Sequence, residues 1–276
     1  MMNFDSLSVG DTFFLGKYQV ESETPWPIEW EIVHQTDNYQ IAMTKQIIDY
    51  RCFDAKESRN TNDRRKYDGN NNWSVSNIEQ FLNSDQASWY SAQHQYDAPP
   101  TSANCSYYND CTTRNAYDSH KGFLYYWSDS EKSILKDMTL TLANNTITDG
   151  GGIYTWTGKV FLPTYTQMGC GQNNYISEGE AFSKFTGNST RIKTIHEKCA
   201  ANNECCKLSN YNNTTAGKYW MCSASLSTSA SVYGVFISGS FGSINSANDG
   251  ESGLAPCICI PRTGSFGVPS DLNYVD

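Results

Sequence analysis

The 276-residue sequence lacks the features of a membrane protein, an exported protein and a nucleic-acid-binding protein. No run of about 18–20 consecutive apolar residues, the length of a membrane-spanning helix, occurs in it. Met1–Asp5 has neither the basic residues nor the apolar core of a secretory signal, so we expect a virion or cytoplasmic protein as synthesised. Surface display by another route stays open. A net charge of −9 argues against a nucleic-acid partner, which requires a basic surface.

Motifs of common enzyme classes are also scarce. The sequence has four histidines, no G-x-S-x-G nucleophile motif and no glycine-rich nucleotide-binding motif, so we expect no cofactor. Catalysis by a pair of carboxylates stays open. Two metal sites have weak support, since the zinc spacing is unfamiliar and no recognisable lectin calcium tripeptide is present. The zinc candidates are His196, Cys199, Cys205 and Cys206, and the calcium candidates are Asn245, Asn248, Asp249 and Glu251.

Small polar residues and tyrosine, by contrast, are abundant. Together 31 Ser, 25 Asn and 18 Tyr make up about 27% of the chain. Antibody paratopes rely on these residue types, which favours a binding protein. The ten cysteines would suit disulfides in an exported protein, but without a signal we expect reduced, buried thiols. Spacing leaves open the pairing of Cys105 with Cys111, or of Cys199 with Cys205 or Cys206.

Short elements separated by long loops predict the α+β class, with mixed or antiparallel short strands and two or three short helices. Capping boxes at Ser76–Glu79 and Ser128–Glu131 start two helices, and Glu178–Phe185 is a candidate third. From Tyr219 onward we expect strands and turns. Apolar or alternating runs predict strands at Thr12–Val20, Glu29–Val33, Tyr39–Thr44 and Lys159–Leu162.

We expect one domain over residues 1–276, and no internal repeat is visible. Asp85–Ser119, rich in Tyr, Asn, Ser and Pro, predicts a long surface insertion. Residues 262–276 are expected to form a C-terminal tail.

Several short motifs occur in a fixed order along the chain. The most specific is W-x-x-S-x-I-x-x-[FW]-L-N, which Trp73–Asn83 matches. The others are Gly16–Tyr18, Ile28–Val33, Val160–Thr164, Trp220–Ser223 and Gly253–Pro256. Their order resembles a bacterial and phage domain family of unassigned function that is related to C-type lectin folds, and implies such a fold over roughly residues 10 to 261. The arginines of the family's closing W-x-R-S and G-V-R-P motifs are replaced by Cys222 and Ala255, so the resemblance does not extend to a pocket built on them.

C-type-lectin-like domains of this kind also display the variable segments of diversity-generating retroelements. There a reverse transcriptase randomises adenines, and the resulting NNY codons never encode Lys, Glu, Gln, Met or Trp. These five types supply 48 of the 276 residues, so an average 28-residue window would hold about five, whereas Cys222–Asp249 holds none. A Ser- and Gly-rich loop of other origin would pass the same test. The resemblance therefore implies a variable ligand-binding segment at about residues 219–250.

We predict a ligand- or receptor-binding protein, not an enzyme, that recognises a protein or glycan on a cell surface. Viral or phage receptor binding and surface display are the expected roles, and a homo-oligomer stays open. Alternation from Ser223 to Ser231 would place the serines on one face of an extended segment. The predicted ligand-binding residues are Cys222, Ser223, Ser225, Ser227, Ser229, Ser231, Tyr233, Val235, Phe236, Ser238, Ser240, Phe241, Ser243 and Asn245.

Two other functions stay open. Formylglycine-generating enzymes share the C-type-lectin-like fold and use cysteines, so Cys222, Cys257 and Cys259 allow a cysteine-dependent oxidoreductase or modifying enzyme, although buried core cysteines are commoner. The third alternative is a structural virion subunit in which the Ser-rich segment is an interface.

Overall fold

A computed structural model describes residues 2–20, 24–106, 115–201, 214–244 and 246–266. These residues form short, mostly antiparallel strands and helices of four to six residues, so the protein belongs to the α+β class. The α-helices in the described ranges are α1 (Asp63–Asp68), α2 (Asn77–Leu82), α3 (Asp129–Ile134), α4 (Asn188–Arg191) and α5 (Glu197–Ala201), more than the two or three expected. The strands are β1 (Met2–Asn3), β2 (Thr12–Tyr18), β3 (Trp26–Gln35), β4 (Tyr39–Thr44), β5 (Asp49–Tyr50), β6 (Met138–Ala143), β7 (Ile153–Gly158), β8 (Val160–Phe161), β9 (Tyr219–Ala224), β10 (Val232–Val235), β11 (Phe241–Ile244), β12 (Gly253–Leu254), β13 (Cys257–Pro261) and β14 (Ser265–Phe266).

The first five-stranded sheet has the order β2-β3-β4-β13-β8, and all its neighbouring strands are antiparallel. Strands β4 and β13 are buried on both faces except at one end. The strand predictions for the first 50 residues are confirmed, and β4 has the predicted bounds. Strand β3 alternates at its start, as the sequence pattern predicts, and buries Trp26, Ile28, Trp30 and Ile32.

The second five-stranded sheet has the order β11-β10-β9-β12-β5 and carries the C-terminal segment. Strand β9 is buried along its whole length and pairs antiparallel with β10 and parallel with β12. Its Trp220 packs edge-on against Phe53, with 5.8 Å between ring centroids, and donates a hydrogen bond to the carbonyl of Arg51. Strand β11 lies at the edge, so the β10–β11 hairpin extends from a firmly packed strand.

Smaller elements complete the structure. Strands β6 and β7 form a separate antiparallel hairpin, and β1 pairs with β14, which joins the two ends of the described chain. Among the described residues, no helix has both the length and the apolar character needed to cross a membrane.

Both predicted capping residues begin helices. Ser76 accepts a hydrogen bond from the N–H of Glu79 at the start of α2. At α3 the capping box is complete, because Ser128 accepts from the N–H of Glu131 while the Glu131 carboxylate accepts from the N–H of Ser128. The Glu79 carboxylate instead accepts from the indole N–H of Trp156 at 3.0 Å. The first box is therefore only half formed.

One local prediction is wrong. Residues 178–185 contain no helix, because Gly179 has a left-handed φ of +102° that a right-handed helix does not allow. The described parts of residues 85–119 are largely exposed or half-buried, but a few of their side chains reach the core. There, Trp89 stacks on Tyr117 with 5.3 Å between ring centroids, and both contact Phe81 of α2. Of the predicted tail, Ser265–Phe266 forms β14, and residues 267–276 lie outside the described ranges.

Candidate functional site

The residues predicted to bind a ligand fall into two groups. Residues 222–231, which we call the anchor segment, comprise the end of β9 and the loop after it. Residues 232–244, which we call the edge hairpin, comprise β10, β11 and the turn between them. Asn245 lies outside the described residues.

The alternating serines of the anchor segment do not share an exposed face. Strand β9 ends at Ala224, and residues 225–231 form turns and irregular structure. The prediction of one extended serine face is therefore wrong, because alternating small side chains do not by themselves impose a strand. Ser227 is exposed, whereas the buried members are Cys222, Ser223, Ser225, Ser229 and Ser231.

A side chain from a distant loop holds the backbone of the anchor segment. The amide of the buried Asn71 donates hydrogen bonds to the carbonyls of Ser225, Thr228 and Ser231 over 2.9–3.2 Å. Its main-chain N–H reaches the carbonyl of Ser229 at 3.3 Å. Asn71 lies more than 150 positions earlier in the chain, so a long-range contact fixes the conformation of this loop.

Asn71 is itself held by a polar network. Asn145 donates to the side-chain oxygen of Asn71 at 2.9 Å and to Asp149 at 2.7 Å. Arg65 donates to both carboxylate oxygens of Asp149 at 2.7 and 2.8 Å, and to the carbonyl of Ser229 at 3.3 Å. Buried polar groups with partners of this kind give a loop one defined conformation.

Ser223 connects the anchor segment to a neighbouring loop. Its hydroxyl donates to the buried carboxylate of Glu178 and accepts a hydrogen bond of 2.7 Å from the N–H of Tyr165. Burial raises the pKa of Glu178, and the hydrogen bonds that its carboxylate accepts only partly oppose that rise. Ser223 therefore lies between a buried acid and the residue whose ring reaches the edge hairpin.

The edge hairpin has one inward face and one outward face. Tyr233 pairs with Ser243 and Val235 with Phe241, so these four side chains lie on one face. Tyr233 is half-buried, Ser243 is exposed and Phe241 is 37% exposed, whereas Val235 is fully buried. The outward face therefore offers an aromatic surface bordered by a hydroxyl.

Tyr165 and Arg191 complete this surface from outside the hairpin. The Tyr165 ring lies 4.7 Å from that of Tyr233 and meets Phe241 edge-on at 5.2 Å, measured between centroids. The guanidinium of Arg191 lies 5.4 Å from the centroid of Phe241. Arg191 is buried and donates to the carbonyls of Met168 and Gly169, so it supports Phe241 from a fixed position.

The turn of the hairpin is exposed but tightly seated. Ile237 is 59% exposed, Ser238 is exposed, and the hydroxyls of Ser238 and Ser240 are 2.8 Å apart. Gly239 has a φ of +75°, and a Cβ there would lie 1.8 Å from the carbonyl oxygen of Asn188. The turn therefore presents apolar and hydroxyl groups from a fixed backbone.

The sequence prediction missed four residues of this surface. Ile237 lies inside the predicted segment and was recognisable only as part of an apolar run. Ile192, which is exposed, lies near Gly239 and comes from the chain after α4. Tyr165 follows the Val160–Thr164 motif, and Arg191 ends α4. Periodicity could not reveal these last three, because tertiary packing brings them to the hairpin.

The cysteines proposed for catalysis lie in the core. Cys222, Cys257 and Cys259 are each at most 2% exposed. Burial raises the pKa of all three thiols, to about 11 for Cys259. A nucleophilic cysteine needs the opposite environment, one that favours the thiolate.

The proposed calcium ligands are engaged within the protein. Lys218 lies 2.9 Å from Asp249 and 3.9 Å from Glu251, and Asn248 donates to the carbonyl of Tyr67 at 2.9 Å. Of the proposed zinc ligands, Cys205 and Cys206 lie outside the described residues. Within the described ranges, no group of three or more His, Cys, Asp or Glu side chains is arranged to hold a metal ion.

The chain belongs to the family described as a domain of unknown function, DUF6273, whose model matches residues 38–262. The matched part includes the Trp73–Asn83 helix motif and both closing motifs, but begins after Gly16–Tyr18 and Ile28–Val33. It also contains the anchor segment and the edge hairpin. No curated protein and no solved structure matches the chain.

Proposed function

We propose that this protein binds a ligand through the outward face of the edge hairpin, which is the variable segment of a diversity-generating retroelement. The observation that carries the proposal is the aromatic surface of Tyr165, Tyr233 and Phe241, which is extended by the exposed Ile237. Rigid aromatic rings beside small hydroxyl side chains are typical of recognition surfaces. The ligand we propose is a protein or glycan on a cell surface.

The way the anchor segment is held supports sequence variation. Asn71, Arg65 and Asn145 reach it mainly through main-chain carbonyls or through one another. Thr146 likewise donates twice to the carbonyl of Leu226, at 2.9 and 3.0 Å. A carbonyl accepts the same bond whichever side chain its residue carries, so such a frame tolerates substitution of exposed positions.

Burial narrows the proposed contact set. Cys222, Ser223, Ser225, Ser229, Ser231 and Val235 are buried and serve as support. The exposed or half-buried positions of the edge hairpin, at which we propose variation and contact, are Tyr233, Phe236, Ile237, Ser238, Ser240, Phe241 and Ser243, whereas Ser227 is an exposed position of the anchor segment.

The proposed scaffold is a C-type-lectin-like domain, as the order of the sequence motifs implies. Its proposed role is receptor binding by a virus or phage, or display on a cell surface. The alternative of a cysteine-dependent enzyme gains no support from Cys222, Cys257 and Cys259, because burial raises the pKa of each thiol.

Sequencing the locus across a population tests the retroelement. We expect a reverse transcriptase gene, a template copy that differs at adenines, and substitutions concentrated at the exposed positions of the edge hairpin. Absence of both the gene and the template copy would refute the retroelement. Variation spread evenly over buried and exposed positions would refute the proposed division of the segment.

Binding is tested on the full chain, fluorescently labelled, with a panel of whole bacterial cells and a printed glycan array as probes. We expect Tyr233→Ala combined with Phe241→Ala to lose binding at least tenfold. Tyr175→Ala is the matched control, because Tyr175 is 94% exposed and lies outside the edge hairpin. Equal binding by both variants would contradict the proposal.

The same surface would serve a structural virion subunit if its occupant were a second copy of the chain. Light scattering after size-exclusion chromatography distinguishes the two. Under the ligand-binding proposal, Tyr233→Ala with Phe241→Ala leaves the molar mass unchanged. A variant that dissociates an oligomer instead would favour the subunit.

A further inference from the structure

Two buried thiols from distant parts of the chain meet outside the candidate site. The sulfur atoms of Cys52 and Cys105 are 3.1 Å apart, although 53 positions separate the residues. Cys52 follows β5, and Cys105 belongs to the segment whose Trp89 and Tyr117 pack on α2. Both cysteines are almost fully buried, at 0% and 3% exposure.

Backbone contacts hold both cysteines independently of their sulfur atoms. The N–H of Lys56 donates to the carbonyl of Asn104 at 3.0 Å, and the N–H of Cys105 donates to the carbonyl of Thr101 at 2.9 Å. The Tyr117 hydroxyl donates to the carbonyl of Cys52 at 3.0 Å. The main chain therefore brings the two side chains together before any bond between them exists.

We propose that Cys52 and Cys105 form a disulfide when the protein folds in the presence of an oxidant. A disulfide bond is about 2.05 Å long, so the two sulfur atoms need to approach by only about 1 Å. This pairing differs from that of Cys105 with Cys111, which spacing left open; Cys111 lies outside the described residues.

The oxidant we name is a small disulfide such as oxidised glutathione. One cysteine, as the thiolate, attacks a sulfur of glutathione disulfide and releases one glutathione thiolate. The second cysteine thiolate then attacks the protein sulfur of this mixed disulfide and releases the other glutathione. Two protons leave the cysteines and two are taken up by the glutathione thiolates, so two protein thiols are oxidised and one glutathione disulfide is reduced.

Burial decides when this reaction occurs. The pKa of Cys52 is raised well above its ordinary value by burial and by the neighbouring Cys105. Cys52 therefore presents little thiolate in the folded protein, and both sulfur atoms are closed to a solvent oxidant. The bond is expected to form rapidly during folding and slowly once the reduced chain has folded.

The bond would join the chain just after β5 to a segment that contacts residues 248–250. The N–H of Ser106 donates to the carbonyl of Asn248 at 2.8 Å, and Gly250 donates back to Ser106 at 3.0 Å. The bond would close a loop that spans 53 positions. Such a closure stabilises a protein chiefly by restricting its unfolded chain. Oxidation would therefore raise the thermal unfolding midpoint.

The test is to refold the full chain from the reduced, denatured state, either in a glutathione redox buffer or in dithiothreitol. Free thiols are then alkylated under denaturing conditions, and peptides are mapped by mass spectrometry without reduction. We expect a Cys52–Cys105 peptide that has lost two hydrogen atoms only in the glutathione sample. We also expect its unfolding midpoint to fall on addition of reductant.

Cys170→Ser is the matched control and should retain the linked peptide, because Cys170 is half-buried and lies outside this pair. Cys105→Ser should lose it. If that variant does not fold, Cys52→Ala with Cys105→Ala should fold and lose the response of the midpoint to reductant. Alkylation of both cysteines in the oxidised sample, or linkage of either to another cysteine, would overturn the proposal.

Discussion

The anchor segment and the edge hairpin have similar compositions but opposite roles. Both are rich in serine and small residues, and neither carries a charge. The anchor segment buries four of its five serines and receives hydrogen bonds from Asn71 and Arg65. The edge hairpin exposes Ser238 and Ser243 beside Phe241. Composition therefore indicates only that a segment is uncharged and rich in small residues. Tertiary contacts decide which half is buried and hydrogen-bonded and which half is exposed to solvent.

Ser223 is one of the contacts between the two halves. Its hydroxyl accepts from the N–H of Tyr165, whose ring packs on Tyr233 and Phe241. A change in the anchor segment can therefore alter the aromatic surface without touching it. The predictions below separate damage to the anchor segment from damage to the edge hairpin.

Replacing Asn71 with Ala should have the largest effect. The carbonyls of Ser225, Thr228 and Ser231 would lose a buried donor, so we expect destabilisation of about 3 kcal/mol. Urea unfolding measures it. Asn38→Ala is the control, because Asn38 is exposed, and it should change stability by less than about 0.5 kcal/mol. Similar values for both variants would show that Asn71 does not hold the loop.

Gly239→Ala should destabilise the protein by about 2 kcal/mol or more, because backbone strain adds to a clash with Asn188. Gly150→Ala is the matched control, because the φ of Gly150 is +79° and that of Gly239 is +75°. A Cβ added at Gly150 would meet open space. Thermal unfolding of the two variants gives the contribution of the clash. Equal shifts would mean that the hairpin turn moves freely away from α4.

Sequence patterns predicted the strands and helices whose formation depends on residues close together in the chain. Alternating apolar residues located β3, and Ser76 and Ser128 located the starts of α2 and α3. The alternation from Ser223 to Ser231 misled, because the conformation there depends on Asn71, more than 150 positions away. Nothing in the local sequence reveals such a contact.

The candidate site divides in the same way. The absence of Lys, Glu, Gln, Met and Trp from Cys222–Asp249 pointed to the segment that contains Tyr233 and Phe241. Its partners Tyr165 and Arg191 come from a loop and a helix end, which only tertiary packing brings to the hairpin. Residue-type statistics also could not separate the buried Ser229 from the exposed Ser243.

The anchor segment should respond to pH through Glu178. A carboxyl group with a raised pKa in the folded state contributes stability at acidic pH and loses it as the pH rises through that pKa. Relative to Glu178→Gln, the wild type should therefore lose stability as the pH rises above the ordinary value of 4.5, by at most about 1.4 kcal/mol per pH unit. Urea unfolding from pH 4 to 8 measures the difference. A constant difference across this range would contradict burial as the cause.

Substitution of exposed serines should have the smallest effect and most directly tests the contrast between the two halves. Ser238 and Ser243 are exposed, so Asn, Asp or Tyr at either position should change the free energy of unfolding by less than about 0.5 kcal/mol. The same three residues at Ser229, which is buried and donates to Asn62 at 2.8 Å, should reduce the yield of folded protein. A library displayed on yeast and sorted for protease resistance measures both sets. Because the substitutions are identical, equal tolerance at Ser229 and Ser243 would mean that burial does not divide this segment.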